Sequence, residues 1–263
     1  MNTVARESED LLQLASSSKQ IREAEQYKNL ISRFSPTTQT VIEIGCSWGY
    51  LLYNLKQFGY SVQGFELSTT TSRIGSEKLG VPIFTGAFEK QETLVDVIIL
   101  RHVFEHVPDS ISLLKAIVDS LKKEGLFILE GPSLSSISSC IFQSHVSWVS
   151  PPDHVNFPKI HPLVCAMEKL GFETLYRTTR RGRGISVFHQ MLLWGVALVM
   201  GGKENAKSHL GGVNDPSPRC GLNVLKKMAL GAACSLDWLT RPVSWILSKM
   251  LMEEEMLLVF KKK

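Results

Sequence analysis

No Cys-x-x-Cys pair occurs in the 263-residue chain, and its five cysteines, Cys46, Cys140, Cys165, Cys220 and Cys234, are odd in number and widely scattered. That pattern indicates neither a disulfide framework nor a structural zinc site, and it fits a reducing cytosol. A surplus of one charge is missing too. The net charge of +4 gives no sign of the basic stripe that phosphate-backbone recognition needs, so no nucleic-acid partner is expected. The opening MNTVARESEDLLQ carries acidic residues early and lacks the apolar core of ~7–15 residues of a secretory signal, so a cytoplasmic location is expected. The apolar stretch from Val187 to Met200 falls short of the ~18 uninterrupted residues of a membrane span, because His189 and Gln190 break it.

What is present is an ordinary globular composition, 44% hydrophobic and 21% charged, at a length that suits one catalytic domain plus an elaboration. Ile21, Ala24, Tyr27, Ile31 and Phe34 recur at three or four residues, which predicts an N-terminal helix with Ser18 as its N-cap. Thr40 to Ile44 is short, β-branched and ends at Gly45; Tyr50 to Phe58 reads as a helix closed by Gly59. The alternation continues with a strand near Ser61 to Phe65, a helix Thr70 to Leu79 and a strand Pro82 to Thr85. A strand Val95 to Leu100, a helix Ile111 to Lys122 and a strand Leu126 to Glu130 follow. Strands alternating with helices imply parallel βαβ units and an α/β, doubly wound sheet.

Leu134 to Pro158 is rich in Ser, Pro, His and aromatics without periodicity, and reads as a substrate-side loop. His161 to Leu170 is a helix stopped by Gly171, Phe172 to Arg177 a strand, and Met256 to Phe260 the last strand. The organisation expected is a helical cap over residues 1–35, a core over 36–184, a helical insertion over 185–252 and a final strand with a basic tail over 253–263. Within the insertion, Trp194, Trp238 and Trp245 stand among Lys and Arg, which allows either a hairpin packed on the domain or a peripheral membrane contact.

The densest chemical signal is Glu43-Ile44-Gly45-Cys46-Ser47-Trp48-Gly49. Glycines straight after a first strand let a ligand approach the backbone, and the helix N-terminus beyond offers unpaired N–H groups. A dinucleotide pattern G-x-G-x-x-G would place its glycines at Gly45, Ser47 and Tyr50, two of which fail, so a nicotinamide-dependent oxidoreductase is disfavoured. Read as acidic-x-G-x-G-x-G, the pattern falls on Glu43, Gly45, Ser47 and Gly49, with only Ser47 departing from it.

That second reading resembles the first motif of the class I S-adenosylmethionine-dependent methyltransferases. The resemblance runs from about Val41 to Phe172. Asp96 to Asp109 resembles the family's fourth strand and the turn after it, and Lys123 to Glu130 the entry and body of its fifth. The likeness is nearest to a small-molecule branch with ubiquinone-biosynthesis O-methyltransferases and sugar and natural-product methyltransferases, in which a Glu-His-Val-Pro turn recurs; Asp153-His154-Val155-Asn156-Phe157 resembles its His-x-x-Phe signature.

The resemblance implies a Rossmann-like seven-stranded sheet with an antiparallel last strand, and S-adenosylmethionine as cofactor. Its site would include Glu43, Gly45, Cys46, Ser47 and Gly49 from the turn, and Glu66 and Leu67 after the second strand, with Glu66 accepting hydrogen bonds from the ribose hydroxyls. Ala87 and Phe88 would lie by the adenine, and Arg101 and His102 would close the site from the fourth strand. For a hydroxyl acceptor a proton must leave, and histidine suits that task at neutral pH; His154 first and His106 second are the expected bases. His102-x-x-Glu105-His106 with a further ligand such as His154 would make a His/Glu cluster for a divalent ion. Relatives with a metal resemble Glu-x-x-Glu-His, whereas His102 stands first here, and no metal is assigned.

Arg177, Arg180, Arg181 and Arg183 suit an anionic acceptor group such as a phosphate or carboxylate. The function expected is therefore transfer of a methyl group to a small-molecule or glycan acceptor, O-methylation favoured. The alternative from another class is a binding or scaffold protein of the same fold that has lost turnover, prompted by Ser47.

Overall fold

The computed structural model describes residues 11–142, 149, 152–180, 250 and 253–263. The expected insertion 185–252, apart from Met250 itself, lies outside the described residues, as do His145, Trp148, Arg181 and Arg183.

The chain forms helices α1 (Leu11–Ala15) and α2 (Ser18–Phe34), strand β1 (Thr40–Ile44), α3 (Tyr50–Gln57), β2 (Ser61–Glu66), α4 (Thr69–Leu79), β3 (Ile83–Thr85) and β4 (Val95–Arg101). A 3₁₀ turn (Phe104–His106), α5 (Ser110–Ser120), β5 (Leu121–Pro132), α6 (Ile137–Phe142), α7 (Ile160–Lys169), β6 (Phe172–Arg180) and β7 (Glu255–Lys262) complete it. Seven strands lie in the order β3-β2-β1-β4-β5-β7-β6, with β7 antiparallel, as in the class I methyltransferase fold. β1 pairs in parallel with both β2 and β4, so the order reverses beside β1 and opens a crevice at the C-terminal ends of these strands.

Burial explains the central strands. Ile42, Val97, Ile98, Ile99, Leu100, Phe127, Ile128 and Leu129 are at most 1% exposed, as strands covered on both faces require. Each such side chain contributes roughly 1.5–3 kcal/mol of transfer free energy. On α2 it is Ala24, Tyr27 and Ile31 that are buried, and the helix is capped at Ser17, one residue earlier than the sequence suggests.

Other elements differ at their ends, β6 running to Arg180 rather than Arg177 and α5 stopping at Ser120 rather than Lys122, and two differ more. β5 begins at Leu121 rather than Leu126, because the polar Lys122-Lys123-Glu124 run is strand edge, with Glu124 at φ 63 and a register shift opposite Val95/Val97. The stretch read as loop holds α6, started where Ser136 Oγ accepts the backbone N–H of Ser139 at 3.1 Å.

The chain divides into two compact units. The first comprises Met1–Gly131, Val164–Tyr176 and Leu258–Lys263 and holds the crevice; Lys262 Nζ fastens its end by donating to the carbonyls of Val118 and Leu121, 2.7 Å each, at the C-terminus of α5. The second comprises Pro132–Leu163 and Arg177–Leu257. Within it Ser133 N–H donates to Glu254 O and Leu134 N–H to Pro158 O, both at 2.9 Å, and Arg180 pairs with Glu255 at 3.3 Å. No helix among the described residues is long and apolar enough to cross a membrane.

Candidate active site

The turn after β1 is shaped by the residues that have no room for a side chain. Gly45 sits at φ +68, and a Cβ there would lie 2.2 Å from Val103 Cγ2. Gly49, at φ +83, ends the turn as the N-cap of α3, where a Cβ would meet Ile83 Cδ1 at 2.9 Å. Ser47, where the pattern asks for glycine, adopts φ 50, so it follows the left-handed path a glycine would take. Its N–H donates to Glu66 Oε2 at 2.9 Å, tying the turn to the end of β2.

Glu66 is held a second time by the N–H of Ser68 on Oε1 at 3.0 Å. Both bonds come from the backbone, so each oxygen keeps a lone pair for a ligand hydroxyl. The carboxylate lines a cavity of about 760 Å³ at the ends of β1, β2 and β4. Gly45, Leu67, Gly86, Ala87, Phe88, His102 and His106 share its wall. Leu67 is 74% exposed, an apolar surface beside a polar acceptor, while Phe88 is buried edge-on against Phe65 with centroids 5.1 Å apart. Apolar walls that converge on a few fixed polar groups are what a bound nucleoside requires.

The other residues expected at the cofactor stand behind this wall. Cys46 is 3% exposed and packs where Gly64 leaves space, since a Cβ on Gly64 would fall 2.5 Å from Cys46 Sγ. Burial, and then the neighbouring carboxylates of Glu43 and Glu66, push its thiol pKa well up. Glu43 is 1% exposed and its Oε1 lies 3.4 Å from Arg101 Nη2. Its pKa is pushed up to about 7 by burial, which the Arg101 cation only partly offsets and the carboxylates of Glu23 and Glu130 reinforce. Arg101, at the end of β4, also meets Glu23 of α2 at 2.5 Å, and its pKa is raised because those carboxylates outweigh burial.

Of the expected bases, His106 is exposed on the 3₁₀ turn and lines the cavity. His154 lies in the second unit, half-buried in the segment before α7. Of the arginines, Arg177 is exposed and Arg180 is paired with Glu255. Sequence reasoning missed the far wall, Val107 to Asp109 with Ser112 and Leu113, where Asp109 caps α5 by accepting the Ser112 N–H at 3.0 Å. The polar contacts of Glu23 and Tyr27 are not foreseen either: Tyr27 belongs to the apolar stripe, yet its hydroxyl donates to Glu130 Oε2 in the buried interior. A polar tip on an otherwise apolar helix face was the available signal.

A mainly parallel sheet with a glycine turn, a twice-anchored carboxylate at the end of the second strand and an apolar cavity between them define a nucleoside-binding Rossmann-like protein. The family model described as "Methyltransferase domain" matches residues 19–176, and the chain belongs to that family. It is an S-adenosylmethionine-dependent methyltransferase of the class I fold, and S-adenosylmethionine is its cofactor. No curated protein sequence matches it. Among solved structures, a SAM-dependent methyltransferase from Archaeoglobus fulgidus is similar with a TM-score of 0.53 at 16% identity, covering 91% of this chain and 94% of that one. Coclaurine N-methyltransferase, solved with N-methylheliamine and SAH, is similar with a TM-score of 0.52 at 17% identity, covering 92% and 72%. These two likenesses concern the fold.

Proposed function

We propose that the protein methylates a small-molecule or glycan acceptor, with oxygen favoured as the atom that receives the methyl group. The observation that carries the cofactor half is the Glu66 carboxylate, presented to the cavity with both oxygens fixed by backbone N–H groups. The cofactor supplies an electrophilic methyl group on a sulfonium. What the chain must do is hold the nucleoside, present the acceptor in line and accept a proton. Glu66 would take the ribose hydroxyls, Leu67, Ala87 and Phe88 the base, and Gly45 and His102 the methionyl end. His154, then His106, would take the acceptor's proton; the position of His106 on the cavity wall supports its candidacy.

The reading of an inactive scaffold rested on Ser47. Because Ser47 keeps the left-handed backbone and hands its N–H to Glu66, the substitution leaves the turn in working shape. An anionic acceptor remains part of the proposal through exposed Arg177, and a peripheral membrane contact through the insertion 185–252.

Calorimetric titration with S-adenosylhomocysteine, with NAD in parallel, is the test. The wild-type chain should bind the homocysteine derivative alone. Glu66→Ala removes up to two charge-assisted hydrogen bonds and should weaken binding by about 10- to 100-fold or more. Unchanged affinity in that variant would remove Glu66 from the site. Single turnovers with hydroxylated and amine acceptors then decide the atom, and His154→Ala and His106→Ala the base.

A further inference from the structure

We infer that Tyr27 and Glu23, on the N-terminal helix α2, are positioning residues for the cofactor cavity, acting through Glu130 and Arg101. The inference rests on the cavity being the cofactor site. Neither residue lines the cavity: Glu23 grips Arg101, one residue from its wall, and Tyr27 grips Glu130, which faces Arg101 across the sheet. Tyr27, 1% exposed, donates its hydroxyl hydrogen bond to Glu130 Oε2. The other oxygen, Glu130 Oε1, lies 3.5 Å from His102 Nε2, and the Glu130 carbonyl accepts the His102 backbone N–H at 2.8 Å. His102 is on the cavity wall.

That wall needs holding. His102 has φ 52, a left-handed conformation that disfavours a residue with a Cβ and that neighbouring contacts must offset. Glu130, 0% exposed, supplies them on two counts, backbone and carboxylate, and Tyr27 fixes how that carboxylate is turned. Glu23 does the parallel task one strand away. It pairs with Arg101, the residue before His102, and Arg101 in turn meets Glu43, two residues before Gly45, which also lines the cavity. The helix therefore holds two adjoining polar groups, Tyr27–Glu130–His102 and Glu23–Arg101–Glu43, each of which reaches a residue on or next to the cavity wall. At low local dielectric such linked polar groups strengthen one another, so loss of one partner weakens the rest of its group.

The test measures S-adenosylhomocysteine affinity by calorimetry, with KM and kcat for the cofactor once an acceptor is in hand, in Tyr27→Phe and Glu23→Gln. Ile31→Val is the control: Ile31 is also buried on α2 but makes no polar contact with either group, so it reports what loosening the helix alone does. In Tyr27→Phe and Glu23→Gln, Kd and KM should rise about 3- to 30-fold with kcat unchanged, the range of coupling transmitted through packed neighbours. Ile31→Val should lower the melting temperature and leave Kd alone. As a measurement on the unaltered chain, adding S-adenosylhomocysteine should slow amide exchange along residues 18–34, since coupling between helix docking and cofactor binding is reciprocal. A Kd within threefold of wild type in both variants, or a rise in the Ile31→Val control of the same size, overturns the inference. Absence of slowed exchange in a wild-type chain that binds also overturns it. Failure of the wild-type chain to bind at all would instead strike the cofactor site itself.

Discussion

Gly45 and Val103 stand so close that the two loops they belong to fit only because one lacks a side chain: a Cβ on Gly45 would lie 2.2 Å from Val103 Cγ2. The consequence is separable into two costs. Gly45→Ala should lower unfolding stability by about 2–4 kcal/mol, part from forcing alanine to φ +68 and part from the overlap. Adding Val103→Ala should restore the overlap part and leave the backbone part. Denaturant midpoints of the single and double variants measure both; full recovery in the double variant would show that the backbone conformation costs nothing.

Glu43 should give the fold a pH dependence of unusual sign. Its pKa is about 7 in the folded chain against 4.5 as the ordinary value, so between those limits the folded state holds a proton the unfolded state has released. Stability from this group is greatest at low pH, falls as pH rises from about 4.5 to 7, and is level above. Relative to Glu43→Gln, the wild-type chain should lose up to about 1.4 kcal/mol per pH unit across that window. Parallel stability curves for the two proteins would remove Glu43 as the source.

Asp96 should act in the opposite direction and lower on the scale. Partial burial raises its pKa, but the hydrogen bonds from Lys122 and from Gln39 and Thr40 outweigh this and hold it at about 2, below the ordinary 3.8. Its contribution is present above pH 3.8 and lost as pH falls through about 2. Asp96→Asn keeps the shape and loses the charge, so the variant should be less stable than wild type at neutral pH and approach it only below about pH 2. Thermal melts at the two pH values distinguish this from a defect that is constant with pH.

The thiols should part by burial. Cys46, 3% exposed and with a raised pKa, should resist iodoacetamide at pH 8 in the native chain, while exposed Cys140 is alkylated. Site-resolved mass spectrometry reads both at once, and denaturation should equalise them. Early labelling of Cys46 would mean that the turn opens readily.

Much of the sheet was legible because its signals are local. Thr40 to Ile44 was read to the residue, since β-branching and the following Gly45 are both contiguous with it. The cavity residues that came from the turn, from Glu66 and Leu67, and from Ala87 and Phe88 share that property: each lies at the C-terminal end of a strand or within a few residues of it. What the sequence hid is long-range or context-dependent. Glu23 and Arg101 are 78 positions apart, and no periodicity reports their pairing. The strand identity of Lys122 to Glu124 depends on their lying at a sheet margin where polar side chains reach solvent, so composition alone leaves Lys122 at the end of a helix and Lys123-Glu124 ahead of the strand. The helix Ile137–Phe142 is started by a serine within a serine-rich stretch, where one capping hydroxyl does not stand out from its neighbours.

The place of β7 between β5 and β6 sets an order on the chain's birth. As the polypeptide leaves the ribosome, β1 to β5 can pair among themselves, but β6 emerges before residues 255–262 exist to join it to the sheet. Until they appear, β5 and β6 each present an open edge, and Phe172 has no Phe260 to meet, a ring that ends 6.3 Å away in the finished fold. A nascent chain stalled short of that strand is thus the form most open to chaperones and to mispairing, and its protease resistance should arrive in one step when the strand is released.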